Sequence, residues 1–388
     1  MAKIVIWIVV LAVVVIGGLA IFSGPSGEAA TIKIGAVLPL TGDAASYGES
    51  ENRAIQVAVE QVNNAGGVKG RQLEIVNEDG KCDPQIAGTA AQKLVNIDKV
   101  KIIIGGACSG ETLAAAEVTD PAQVILISPS ATSPAITTAG DFVFRTAPSD
   151  ALAGRVAARY SYRELNTRKA ALITELTDYA QGLRSVFKDA FKALGGQVVA
   201  DETYNTGDTD FRTQILKIKN LRPDVVYLVP QSPTPAIAII RQLRENRVTA
   251  SYVGGEAFLD PDTISNNATL MEGVFGVLPV VDWENNPKAK ALFEAHRAKF
   301  NSDPGIYAAN AYDAFHLIRE ALDATLTEAG ENAGEIDTAA VRDWLYGVSN
   351  WPGAVGPLTI DENGDPVMGQ NVRKVVNGEL TDLGPYTP

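Results

Sequence analysis

Only two histidines and two cysteines occur in the 388 residues. So few imidazoles and thiols leave no set from which a convincing metal site can be built, and no metal is expected. Positive charge is scarce as well. Thirty-three lysines and arginines face 46 aspartates and glutamates, the net charge is −13, and no basic cluster stands out. Nucleic acid is thereby excluded as a partner, and so is attraction to an anionic membrane surface. Phosphate fingerprints are missing: Gly105, Gly106 and Gly110 lack the GxGxxG spacing, "LTGDAASYG" lacks it too, and no GxxxxGK[ST] occurs. Neither GxSxG nor HExxH is present. His296 and His316 fall inside predicted helices, remote from strand ends, and read as structural. No enzyme is expected, and no cofactor.

What is there suits a folded, exported protein. Apolar residues make up 46% and charged residues 20%, in a chain long enough for two domains of ordinary size. The start is different in character. "MAKIVIWIVVLAVVVIGGLAIF" carries one lysine and then an uncharged run from Ile4 to Phe22, long enough to span a bilayer as a helix. Behind it, "SGPSGEAATIK" is a poor cleavage motif, because Glu28 stands where a small residue is preferred. No cysteine lies nearby for lipid attachment. A cleaved signal and a retained membrane anchor both fit residues 1–30, the polar linker disfavours a buried core helix, and either reading exports the rest of the chain.

Cys82 and Cys108 follow or precede strand ends. In an exported protein an even count invites a disulfide, and closing that loop would contribute about 3–4 kcal/mol on a chain-entropy estimate. Two buried free thiols remain the alternative.

After the linker, strands and helices alternate. "TIKIGAVLPL", "RQLEIVNED", "VKIIIGG" and "QVILISPS" read as strands, with helices over "YGESENRAIQVAVEQVNNAGG", "DPQIAGTAAQKLVNID" and the segment after Gly110. The pattern restarts at "AALITEL" and runs through "QVVADETY", "PDVVYLVP", "ASYVGGEAF" and "GVFGVLPVV", again separated by helices. Short apolar strands spaced in this way predict parallel sheets covered on both faces, hence two doubly wound α/β lobes. Three further helices are predicted at about 287–301, 307–326 and 337–348. "VGPLTIDENGDPV" and "RKVVNGEL" read as hairpins turning at Asn363-Gly364 and Asn377-Gly378. "DENGD" mimics the start of a calcium loop, but its glycine comes too early and Val372 stands where a bidentate glutamate belongs, so it reads as a turn. Asp260 and Asp262 flank Pro261 as a helix entry.

Ligands of open α/β sheets sit at the carboxyl ends of strands, beside helix N-termini. "IIGGACSGETL" is such a place: a buried strand, a turn of small residues, then a helix whose first amides and Ser109 suit one small anion. "SPSATSPAIT" is a second, with Ser130, Ala131 and Thr132 at the next strand end. Ordinary helix capping by serine and threonine is the competing account of both loops. In the second run Tyr179 follows "ITELTD" and Glu256 follows "YVGG", where a carboxylate could meet an ammonium group. Tyr47, in "AASYGE", offers an apolar wall with a polar tip.

Together these residues resemble the type I periplasmic binding proteins of ABC transporters, in the leucine/isoleucine/valine-binding branch. The resemblance covers nearly all of 31–388. It rests on "IKIGAVLPLTGDAASYG", "NNAGGVKGRQLEIV", "CDP" at 82–84 with "CSG" at 108–110, "SPSATSPAIT", "TDYAQGL", "PDVVYLV" and "GPLTIDENGD". It implies two Rossmann-like lobes joined by three hinge crossings, 31–147 with 279–365 and 148–278 with 366–388. It also implies a Cys82–Cys108 disulfide and an amino-acid ligand held by Ser109, Ser130, Ala131 and Thr132. Glu256 would meet the ligand's α-ammonium, Tyr179 would lie over it, and Tyr47 would sit near its side chain. An aliphatic amino acid passed to an ABC permease is the expected cargo; amides, urea or aromatic acids, or a membrane-tethered sensor, are the alternatives. One departure stands out: Pro230-Gln231-Ser232-Pro233 replaces the aromatic wall of many leucine binders, which leaves side-chain specificity open.

Overall fold

The computed structural model describes residues 31–327 and 334–386. The signal-or-anchor segment lies outside the described residues. Among those described, no helix is long and apolar enough to cross a membrane.

The first run of the chain winds one sheet. Strand β1 (Ile32–Leu38) leads to helix α1 (Ala45–Asn64), β2 (Leu73–Asp79) to α2 (Pro84–Asn96), and β3 (Ile102–Gly105) to α3 (Ser109–Thr119). Strands β4 (Ile125–Ser128) and β5 (Val143–Arg145) complete it, in the order β2-β1-β3-β4-β5 and parallel throughout. Each residue of β3 and β4 is buried, as expected of strands with both faces covered. Helix α1 starts two residues ahead of the predicted Tyr47, and α3 starts at Ser109 and takes Gly110 into its first turn.

After helix α4 (Asp150–Arg163) a second sheet forms from β6 (Lys169–Glu175), α5 (Asp178–Ala193), β7 (Gln197–Tyr204), α6 (Arg212–Leu221), β8 (Val225–Val229), α7 (Pro233–Glu245) and β9 (Ser251–Gly254). Two short helices, α8 (Pro261–Asn266) and α9 (Ala268–Met271), then precede β10 (Phe275–Leu278). Asp260 caps α8 by accepting from the Thr263 N–H at 2.8 Å, the helix entry read from the sequence.

The chain then returns to the first sheet. Helices α10 (Pro287–Phe300), α11 (Ala308–Thr325) and α12 (Thr338–Tyr346) fall within two residues of their predicted bounds. Leu292, Phe315, Leu322 and Leu345 share one core with Ile34 and Ile104. A small hairpin follows, β11 (Trp351–Gly353) with β12 (Gly356–Leu358). The pairing expected around Asn363-Gly364 shrinks to a single bridge, Ile360 with Pro366, because the tight turn at 354–355 has already paired the preceding residues. The last hairpin, β13 (Asn371–Val376) with β14 (Glu379–Pro385), joins the second sheet and turns at Asn377-Gly378 with φ of 53° and 80°, the positive values such a turn requires. That sheet runs β14-β13-β10-β9-β8-β6-β7. The chain therefore passes between sheets three times: after β5, after β10 and after β12. Two Rossmann-like lobes and three crossings are the architecture.

Candidate ligand-binding site

The carboxyl ends of the two sheets face each other. At the end of β3, Cys108 caps α3, and the Glu111 carboxylate reaches back to accept from the Cys108 N–H (3.0 Å) and the Cys82 N–H (2.8 Å). Cys82 and Cys108 form a disulfide, Cα–Cα 5.4 Å, tying the loop after β2 to the first turn of α3. Since Cys108 is the cap, Ser109 is free for another task. Its Oγ accepts from the Ser133 N–H at 3.1 Å, joining the two serine-rich loops.

The second loop is braced from beneath. Ser130 donates to the Ala107 carbonyl at 2.9 Å, and Ser128 donates to the Gly106 carbonyl at 2.6 Å. Ser133, not Ser130 or Thr132, caps the short helical turn at Pro134–Thr138. Behind the loop, the buried Arg145 guanidinium pairs both carboxylate oxygens of Asp365 at 2.6 Å and donates to the Ser133 carbonyl at 2.9 Å. Thr132 donates its hydroxyl to Asp150 at 2.8 Å.

From the other sheet come Tyr179, in the first turn of α5, and Glu256, just beyond β9. A Cβ at Gly255 would stand 2.3 Å from the Tyr179 hydroxyl, so the glycine is what admits the ring. Glu256 accepts from Tyr307 Oη at 2.9 Å, a hydrogen bond between the two lobes. Tyr307 in turn meets Tyr47 edge-on, ring centroids 6.2 Å apart.

These groups close in on one small cavity of about 20 Å³, well below the usual size of a small-molecule site. Tyr47, Ser109, Ser130, Thr132, Tyr179 and Glu256 all line it. Ala131 does not: it lies behind the loop, its N–H donated to Ser128 Oγ at 3.0 Å. Cys108 of the disulfide lines it too, and Tyr307, Gln231, Ala107 and Ala257 complete the lining, these four not being among the residues singled out from sequence as site candidates. Among the described residues, no lysine, arginine or histidine lines it.

The electrostatics are one-sided. Burial holds the Glu256 carboxyl above its usual range, opposed by its hydrogen bonds. Asp150, one hydrogen bond behind the lining, is pushed well up, first by burial and next by Glu256. Thr132 and the Arg145 guanidinium offset only part of this at Asp150, so two crowded carboxyls suit a ligand bearing positive charge, while the α3 N-terminus and the serine loops suit a carboxylate. The hydroxyl of Tyr47 is buried without a hydrogen-bond partner, open to a ligand's polar atoms, while that of Tyr179 is turned toward Glu256.

A family model described as "Periplasmic binding protein" matches residues 31–379. A leucine-, isoleucine-, valine-, threonine- and alanine-binding protein of Pseudomonas aeruginosa is 34% identical over 89% of both chains. The isoleucine complex of a branched-chain amino acid transporter substrate-binding protein from Streptococcus pneumoniae superposes with a TM-score of 0.81. It is 32% identical and covers 92% of this chain and 100% of that one. A leucine-binding protein of Thermotoga maritima gives a TM-score of 0.83 at 28% identity, covering 92% and 99%.

Proposed function

The chain belongs to the periplasmic binding protein family, and on that premise we propose that it captures an aliphatic α-amino acid outside the cytoplasm and presents it to an ABC permease. The lobes in this reading are 31–147 with 279–365 and 148–278 with 366–388. The observation that carries it is the closed cavity in which Glu256 of one lobe faces the α3 N-terminus and serine loops of the other. Ser109, whose hydroxyl hydrogen is free, takes the ligand's carboxylate with the α3 amides, and Ser130 and Thr132 accept from its ammonium beside Glu256. Tyr179 covers it, and Tyr47, Tyr307 and Gln231 surround its side chain. Each lobe holds part of the ligand's polar complement, so only the closed arrangement satisfies a zwitterion. Ligand then shifts the open–closed population by that difference in affinity. The segment 1–30 exports the chain and, where retained, tethers it beside its permease.

A thermal-shift panel on the full chain, unfolded and refolded to strip carried-over ligand, tests this against the twenty amino acids, urea, short amides and aromatic acids. At about a hundred times its dissociation constant a true ligand adds about 2.7 kcal/mol. Shifts with leucine, isoleucine and valine are expected. Shifts only with compounds lacking an α-ammonium would overturn the role given to Glu256.

A further inference from the structure

The amino-acid cavity is not the roomiest one. A second cavity of about 460 Å³ lies along the crossing that follows β10. Leu259 and Ile264 come from the segment after β9, Leu278 ends β10, Trp283 belongs to the crossing, Ile306 comes from the opposite lobe, and Arg373 stands on β13. Its walls are thus mainly apolar, with one guanidinium among them. That guanidinium is under-used. Arg373 Nε is buried with no hydrogen-bond partner, Nη2 donates only to the Leu380 carbonyl at 3.3 Å, and no carboxylate lies within ion-pair distance among the described residues. The charge of Asp382, its cross-strand partner, acts on Arg373 without forming an ion pair, and a half-buried arginine so loosely compensated is an unusual element of an apolar wall. Asp262 and Glu379 also line the cavity but are exposed. Their charges disfavour a polyanion there more than a single carboxylate.

We propose that this cavity is a second ligand site, taking a small apolar monocarboxylate whose head group pairs with Arg373 and whose hydrocarbon body lies against Pro261, Trp283 and Ile306. Occupation favours the closed arrangement, because the walls come from both lobes. Pro261 lies five residues beyond Glu256, and Ile306 directly precedes Tyr307. An occupant touching both therefore braces the two segments whose Tyr307–Glu256 hydrogen bond closes the amino-acid cavity. Coupling between the sites is then positive and reciprocal. The coupling rests on the hinge reading above; the site itself does not.

The test titrates hexanoate and 4-phenylbutyrate into the full chain, following Trp283 fluorescence and heat, with and without the amino acid identified by the panel. Expected are saturable binding that persists when the amino-acid site is full, and an amino-acid dissociation constant lowered about fivefold or more by the probe. Arg373→Gln, and Ser265→Trp placed at the cavity wall, should each abolish probe binding while leaving amino-acid binding without probe within about twofold. No saturable probe binding, or binding unchanged in both variants, would overturn the site. Binding that leaves amino-acid affinity unchanged or weakens it would overturn the coupling. A panel that finds no amino acid leaves the probe titration readable, so the two readings fail separately.

Discussion

Glu256 and Gln231 divide the work of recognition between charge and shape. Glu256 is buried, accepts from Tyr307 and has Asp150 for an electrostatic neighbour, so its charge is under-compensated until an ammonium arrives. Glu256→Gln keeps the shape and removes the charge. Affinity for an α-amino acid should fall by roughly 2–5 kcal/mol, a loss of about 30-fold or more. Titration calorimetry reads this directly, and an affinity within threefold of the parent would sink the ammonium assignment. Gln231 is different: its N–H is taken by Glu175 at 2.8 Å, and the residue lines the cavity beside Tyr47 and Ala257. Gln231→Leu should move the leucine-to-threonine affinity ratio toward leucine by about tenfold, the worth of one matched apolar contact. Competition with labelled ligand measures it, and an unchanged ratio would remove Gln231 from the specificity wall. Glu256 was singled out through the family resemblance, since a carboxylate at a strand end beside two glycines reads by itself as solvated; the structure buries it in the cavity wall. Tyr307 was not singled out. It enters the site from a helix start 51 positions downstream, and nothing local marks that contact.

At the scale of elements, the serine-rich loop after β4 is held by a strut rather than by its own turn chemistry. Arg145, at the end of β5, spans from the Ser133 carbonyl to Asp365 in the last crossing. Breaking one end leaves a buried guanidinium unpaired. Asp365→Asn should therefore cost about 3–5 kcal/mol in stability and weaken ligand binding through the loosened loop, whereas the double change Arg145→Met with Asp365→Leu should cost less. Denaturant unfolding of both variants checks the order, and a double variant less stable than the single would refute the strut account. The strands and helices themselves were readable, since apolar runs of 4–7 residues between amphipathic helices leave little choice of fold class. "DENGD" was correctly seen as a turn. Its last carboxylate has a partner 220 positions away, which local pattern does not disclose. Cys108 as the cap of α3 was equally hidden, because serine is the usual cap and Ser109 stands next to it.

For the whole molecule, buried carboxyls set the pH response, and empty and filled forms should answer oppositely. Burial raises Glu51 to about 8, and Glu111 and Asp313 to about 7, from ordinary values of 4.5, 4.5 and 3.8. Glu51 is fully buried, and the Ser130 hydroxyl offsets only part of the cost of its charge. A carboxyl raised in the folded state binds its proton more tightly there than in the unfolded chain. Its contribution to stability is full below the ordinary value and is lost as pH rises through about 7–8. The empty protein should thus melt higher at pH 5.5 than at pH 8, and Glu51→Gln should flatten that slope by raising the melting temperature at pH 8. Ligand acts the other way. An ammonium needs Glu256 and Asp150 ionised, and both are held above their usual range, so binding must expel protons at low pH. The ligand-induced rise in melting temperature should therefore be largest at pH 8 and shrink toward pH 5.5. Calorimetric scans of empty and saturated protein across that range test both halves at once. Parallel curves would mean that the carboxyls at the cavity do not exchange protons for ligand. An empty-state melting temperature that climbs with pH would mean that Glu51, Glu111 and Asp313 are not the groups in control.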